Sequence, residues 1–260
     1  MNEAARVFGS AAEQYEAGRP GYHEGLAAEV LRYAGPATRT AVEVGAGTGK
    51  ATVQFAAAGL SMVCLEPDAR MAEVLRHTVA AYPSVSVVVS DFESWPARRA
   101  DLLLAGTSWH WVDPRRCWDL AANVVAPGGT VALFWNPLGI VSPRLQAALA
   151  EIELAHGIDE SVITPPASSY GTEPGDWDIS GMWPAAALEA SGRFGDVRQV
   201  RFRDEITYST AGYLALLDST SAYRLLVSRE AALADVAHLL GSDGLRLTRI
   251  TDVCLARRLQ

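Results

Sequence analysis

Short apolar runs alternate with longer stretches of helical spacing through the first half of this chain. The runs are Thr40–Val44, Ser61–Glu66, Val85–Val89 and Asp101–Ala105, and a fifth follows at Thr130–Trp135. Each is rich in valine or leucine without clean polar alternation, the pattern of strands buried on both faces of a parallel sheet. Between them, Thr48–Ala58, Asp68–Ala81 and Pro114–Val125 repeat their apolar residues at helical intervals. Strand, helix, strand in this order predicts a doubly wound α/β domain. Pro127-Gly128-Gly129 predicts a turn that stops the third helix and launches the fifth strand.

Beyond Asn136 the rhythm changes. Ser142–His156 predicts an amphipathic helix, and Ile158–Pro184 is rich in Pro, Gly, Ser, Asp and Trp. That second segment is too long for an ordinary connection and predicts a lid or cap. Val197–Tyr208 alternates as a strand, Thr210–Leu226 and Arg229–Leu240 read as helices, and Leu245–Leu259 as a final strand. Arg198, Arg201 and Arg203 are expected to solvate one face of their strand. No internal repeat is apparent.

Composition narrows the function classes. The 260 residues are 49% hydrophobic and 20% charged, which are globular values. A formal net charge of -8 argues against a nucleic-acid partner, since backbone phosphates need a basic face. Lys50 is the one lysine among 22 basic residues, which reads as the coding bias of a GC-rich bacterial genome. The first thirty residues carry charges and no signal-type apolar core, and no apolar run is long enough to span a membrane. Cys64, Cys117 and Cys254 lie far apart in apolar segments, as free thiols of a reducing cytoplasm do. The five histidines are scattered, so no metal is expected.

The most informative stretch is AVEVGAGTGK, Ala41 to Lys50. An apolar strand enters Gly45, Gly47 and Gly49 and passes directly into a helix, so a ligand can lie against bare backbone. The spacing is GxGxG rather than the GxGxxG of dinucleotide sites. Glu43 beside the turn disfavours a pyrophosphate and suits a ligand with a cationic end. Glu66 ends the second strand twenty-one residues after Gly45, where a carboxylate can accept both hydroxyls of an adenosine ribose. Asp91 and Phe92 end the third strand, placed for an adenine amine and ring.

In order, VFGSAAEQYEAGRPGYH, VEVGAGTGK, LEPDARM, SDFES, SWHWVDP and VVAPGGTVALFWN resemble the class I S-adenosylmethionine-dependent methyltransferases. The likeness is to the small-molecule branch that includes the trans-aconitate-type and Type 11 enzymes, and runs from about Val7 to Asn136. It implies a Rossmann-like, mostly parallel sheet whose last strand is antiparallel, with an N-terminal helical lid and helical cap insertions. The implied division of the single domain is a lid over 1–35 and a cofactor-binding core over 36–136. Substrate-side insertions follow at 137–196 and 210–241, and closing strands at 197–209 and 245–259. The resemblance implies S-adenosylmethionine as cofactor, held by Tyr15, Arg19, Glu43, Gly45, Ala46, Gly47, Gly49, Glu66, Pro67, Met71, Asp91, Phe92, Glu93 and Thr107. In the family the segment matching Tyr15, Arg19 and Tyr22 folds over the cofactor, and the arginine meets the methionine carboxylate. Glu43 replaces the commoner aspartate, and His23 stands where a proline usually follows Gly-Tyr.

Methyl transfer from a sulfonium is an in-line displacement for which a protein mainly supplies proximity and alignment. Where the acceptor must lose a proton, a histidine is the natural base. His110, just past the fourth strand, is the first choice and His23 the second. Tyr22, Trp109, Trp111, Trp135, Trp177 and Trp183 are candidate surfaces for a flat acceptor. His77, His156 and His238 read as surface or boundary residues, and Asp113 before Pro114 as a helix cap. The expected partner is a small molecule, plausibly a specialised bacterial metabolite, handled by a monomer or homodimer. The rival readings are a cyclase or isomerase that keeps the cofactor without transferring its methyl, a non-catalytic cofactor-binding regulator, and a nicotinamide dehydrogenase, which the glycine spacing opposes.

Overall fold

In a computed structural model of the chain, residues 19–158 and 183–260 are described. Eight strands form one sheet: β1 (Thr40–Val44), β2 (Ser61–Leu65), β3 (Val85–Val88), β4 (Ala100–Gly106), β5 (Val125–Trp135), β6 (Leu138–Ile140), β7 (Phe194–Tyr208) and β8 (Leu245–Arg258). Their order is β3-β2-β1-β4-β5-β8, with β6 beside the first part of β8 and β7 along the opposite edge of β8. The first five strands are parallel, and β8 runs antiparallel to β5, β6 and β7. The order reverses between β1 and β4, which opens a crevice at their carboxyl ends.

Nine helices complete the described residues: α1 (Leu26–Ala34), α2 (Thr52–Ala57), α3 (Ala69–Thr78), α4 (Cys117–Val124), α5 (Pro143–Ala155), α6 (Ala185–Ala190), α7 (Thr210–Asp218), α8 (Ser221–Arg224) and α9 (Arg229–Leu240). Local chemistry fixes several of their starts. Asp68 accepts from Arg70 N and Met71 N ahead of α3, and Ser142 accepts from Leu145 N ahead of α5, whose first residue is Pro143. Ser209 does the same for α7 through Gly212 N. Asp113 holds the turn before α4 through Arg115 N at 2.9 Å.

Burial on both faces explains the unalternating runs. In β4, Leu103 and Ala105 enter one core while Leu102 and Leu104 enter the other. In β5, Val131, Leu133 and Trp135 share the first core, and Ala132 and Phe134 the second. Helices α1 and α2 cover the second core, and α4 and α6 the first. A third apolar cluster joins α5, α7 and α9 to the start of β8. It forms a helical cap beyond β6. Leu188 of α6, from a stretch expected to lie in a substrate-side insertion, is fully buried in the first core.

Four details depart from the sequence expectations. Helix α4 has already ended at Val124, because Val125 is extended and pairs with Ala100. Pro127-Gly128-Gly129 is therefore an excursion within β5, since the next paired residue is Thr130, opposite Leu102. The expected helix Thr210–Leu226 breaks at Ser219 and Thr220, whose hydroxyls bond back to Leu216 O and Leu217 O. Arg201 does not solvate a strand face. It forms a buried two-point ion pair with Asp252 on β8, at 2.7 and 2.5 Å. Most of the lid segment Ile158–Pro184 lies outside the described residues. Cys64, Cys117 and Cys254 are buried free thiols. Among the described residues no helix is long and apolar enough to cross a membrane.

Candidate active site

The glycine turn after β1 is shaped by what surrounds it. Gly45 has φ +64°, and a Cβ there would lie 2.6 Å from Ser108 Cβ, so only glycine lets β1 and the loop after β4 approach so closely. Gly47 has φ +60°, and a Cβ there would meet nothing nearer than Met71 Cε at 3.7 Å. Its open side faces a cleft. Gly49 packs instead against Leu75 of α3.

Two cavities open along the crevice. The smaller, about 280 Å³, is bordered by Glu66, Pro67 and Met71 after β2. Asp91, Phe92 and Glu93 after β3, and His110 and Trp111 after β4, complete its wall. The larger, about 640 Å³, extends from Tyr22, Glu43, Ala46 and Thr48 toward the cap. Arg19, Gly45, Gly47, Gly106 and Thr107 border both, so the two cavities meet there.

Glu66 fastens the smaller cavity. Its Oε2 accepts from Gly47 N at 2.8 Å and its Oε1 from Asp68 N at 2.9 Å. Burial pushes its carboxyl up to about 7, against the pull of those two donors. Each oxygen keeps a further lone pair for a ligand hydroxyl. Asp91 accepts from Ser94 N at 2.7 Å, and Glu93 accepts from Asp113 N at 3.1 Å, which ties the loops after β3 and β4 together. Phe92 is buried and its ring contacts Trp109.

Glu43 is fully buried and accepts from Thr52 Oγ1 at 2.7 Å. Desolvation raises its carboxyl to about 7. A neighbouring cation would favour its ionised form. Thr48 is 1% exposed, and among the described residues its Oγ1 has no hydrogen-bond partner although it borders the larger cavity. A buried orphan hydroxyl beside an open glycine cradle and two raised carboxyls suits a ligand with hydroxyl and cationic groups.

Where the cavities meet, Thr107 is held at φ +53°, a rare conformation for a β-branched residue. Its Oγ1 lies 3.1 Å from Tyr22 OH, whose ring stands edge-on to Phe134. The segment carrying Tyr22 is clasped by Arg249 Nη1, which donates to Gly21 O at 2.9 Å, and by Gln54 Nε2, which donates to Tyr22 O at 3.0 Å.

The candidate base His23 is not part of either cavity. Its Nδ1 accepts from Gly25 N at 3.1 Å and its ring stacks on Phe202 at 4.6 Å, so it fastens the turn that leads into α1. His110 borders the smaller cavity, 4.7 Å from the Trp111 ring, and crowding by protein lowers its pKa from the ordinary value. It does not border the larger one. Of the candidate aromatic surfaces, Tyr22 borders the larger cavity and Trp111 the smaller. Trp109 packs on Trp118 in a short 3-10 turn, and Trp135 packs on Trp183, all in the first core. Tyr15 and Trp177 lie outside the described residues. Among the described residues no group of three His, Cys, Asp or Glu is placed to hold a metal.

Sequence reasoning missed Thr48, Asn136, Gln146, Glu153, Tyr213 and Thr220, which border the larger cavity. Thr48 and Asn136 lie inside the quoted motifs. Glu153 and Tyr213 sit on ordinary-looking helices, with no local signal.

Comparison with known proteins bears on the same region. Residues 42–133 match the family described as "Methyltransferase domain". The uncharacterized methyltransferases Rv3342 of Mycobacterium tuberculosis and Mb3374 of Mycobacterium bovis are each 39% identical over 132 residues, which is 50% of this chain. The chain spans about half the length of these curated relatives, 51% in each case. A solved candidate Type II methyltransferase from Anaeromyxobacter dehalogenans superposes with a TM-score of 0.66 at 23% identity, covering 93% of this chain and 98% of that one. A Haemonchus contortus phosphoethanolamine N-methyltransferase, solved with phosphomonomethylethanolamine and S-adenosylhomocysteine, superposes at 0.55 and 13% identity, over 98% of this chain and 60% of that one. These likenesses show that the fold is the class I methyltransferase fold.

Proposed function

We propose that this chain, whose residues 42–133 match the methyltransferase domain family, is an S-adenosylmethionine-dependent methyltransferase acting on a small-molecule acceptor. The observation that carries the reading is the pair of cavities joined at Gly45, Gly47, Gly106 and Thr107. One is built for a cofactor and the other has room for an acceptor of drug-like size.

The smaller cavity takes the adenosine, with Glu66 accepting from the ribose hydroxyls and Asp91 facing the base. Arg19, Glu43 and Thr48, around the junction, suit the carboxylate and ammonium of the methionine end. When bound, S-adenosylmethionine supplies an electrophilic methyl group. The protein's part is to hold the acceptor at the junction and keep water out. Tyr22 and Thr107 place two hydroxyls there, and the strained Thr107 backbone fixes their direction. His110, on the adenosine side, is a cofactor-shaping residue in this reading rather than a base.

A specialised bacterial metabolite remains the proposed acceptor, and a cytoplasmic setting accords with three free buried thiols. The test is incubation with methyl-labelled S-adenosylmethionine and mixed small-molecule extracts. Label appearing in low-molecular-weight products together with S-adenosylhomocysteine supports the proposal. Substrate conversion with no label transferred would establish the cyclase or isomerase reading in its place.

A further inference from the structure

The larger cavity has two unlike ends. Near the junction it carries Arg19, Glu43 and Lys50, supplied by the N-terminal segment, β1 and the glycine turn. The end formed by α5, β6, α7 and β8 is apolar, walled by Leu138, Ile140, Leu149, Leu216, Leu217 and Leu247. Among the described residues at that end, one carboxylate stands out, that of Glu153 on α5.

Glu153 is poorly compensated for its setting. Among the described residues its carboxylate receives a hydrogen bond only from Tyr223 OH, at 3.3 Å. Tyr223 of α8 and Tyr213 of α7 are both buried, and each is pushed above the ordinary phenol range by burial first and by the nearby Glu153 second. Both therefore stay neutral, and among the described residues no ion pair to a cation is formed by the Glu153 carboxylate. Burial also raises Glu153 itself, against the Tyr223 hydrogen bond. A half-buried carboxylate with one protein donor in an apolar wall favours a ligand that brings it a charge-assisted donor.

We infer that Glu153 is the anchor of the acceptor subsite, and that the acceptor is an apolar small molecule carrying a protonated amine that pairs with Glu153 while another of its atoms lies at the Tyr22–Thr107 junction. This rests on reading the larger cavity as the acceptor site. Glu153 is thus a specificity-determining residue that touches substrate at the end remote from the methyl group. The charge excludes carboxylate- and phosphate-bearing acceptors from that end, and the leucine wall selects a hydrocarbon or aromatic body.

The experiment uses the full chain with S-adenosylhomocysteine at saturation, so that the ammonium subsite near Glu43 is filled. Binding of phenethylamine and of its neutral counterpart 2-phenylethanol is measured by calorimetry or ligand-observed NMR. The amine is expected to bind at least about tenfold more tightly, the scale of one charge-assisted hydrogen bond. In Glu153→Gln the preference should fall below about twofold, with S-adenosylhomocysteine affinity unchanged within about twofold. Tyr223→Phe, which removes the donor and leaves the charge, should keep the preference. Equal binding of the two probes to the unaltered protein, survival of the preference in Glu153→Gln, or its loss in Tyr223→Phe overturns the inference. The first of these outcomes needs no variant to fold. If S-adenosylhomocysteine does not bind at all, the methyltransferase reading fails, while the contrast between the probes and its loss in Glu153→Gln still report on Glu153.

Discussion

The two cavities meet at one threonine, yet they are made by different means. The smaller cavity, proposed for adenosine, is assembled from strand ends, and each contribution is a short contiguous motif: the glycine turn, Glu66-Pro67, Asp91-Phe92-Glu93 and His110-Trp111. Its geometry is set by the parallel sheet, so strand order alone brings these residues together. The larger cavity, proposed for the acceptor, is finished by α5, β6, α7 and the start of β8, elements from the second half of the chain that pack as a separate apolar cluster. The comparison teaches that the first is a property of the sheet and the second of the cap. Changes in one should leave the other's function intact.

The largest expected effect is on the sheet side. Glu66→Ala removes the two oxygens proposed to accept from the ribose, together with the tie to Gly47 N. Cofactor affinity should fall about 100-fold or more, as loss of two charge-assisted hydrogen bonds implies. Isothermal titration with S-adenosylhomocysteine checks this, and unchanged binding means the ribose lies elsewhere. On the cap side, Leu149→Trp crowds the apolar wall. Acceptor turnover should drop about tenfold or more while cofactor affinity stays within about twofold. Parallel losses in both would erase the distinction between the cavities.

A third effect follows from the raised carboxyls of Glu43 and Glu66, each about 7 against an ordinary 4.5. Between those values the folded chain keeps protons that the unfolded chain has released. Stability of the ligand-free protein therefore falls as pH rises through that window and levels off above about 7. The melting temperature should be several degrees lower at about pH 7.5 than at about pH 5, and Glu43→Gln should flatten part of that slope. A melting temperature that climbs over the same range contradicts the burial of these acids. The smallest effect concerns Trp135, whose indole N–H is buried in the first core without a partner among the described residues. Trp135→Phe should leave methyl transfer within about twofold, since it touches neither cavity; a larger loss would return the residue to the acceptor site.

The same contrast governs what the sequence could reveal. The parallel order, the glycine turn, Glu66 and Asp91 were legible because each is a local pattern at a strand end. Trp135 was not, because the pleat that shares it with Val131 and Leu133 decides its face, and only the assembled sheet shows which face borders the site. The Arg201–Asp252 pair joins residues fifty-one positions apart and leaves no local trace. The break after Asp218 comes from hydroxyls bonding back to their own helix, which composition does not distinguish from continuation. Glu153 lies one polar residue among several on an amphipathic helix, and its partner Tyr223 comes from another element seventy residues away. Short β6 offered only three residues to any periodicity.

The division of labour between the cavities is tested most directly by a crystal structure of the chain with S-adenosylhomocysteine. The adenosine is predicted to occupy the cavity bordered by Glu66 and Asp91, with the homocysteine end reaching the junction at Gly45 and Thr107 and the leucine-walled end left for an acceptor. Adenosine seated instead between α5 and α7, against Leu149 and Glu153, would contradict the account.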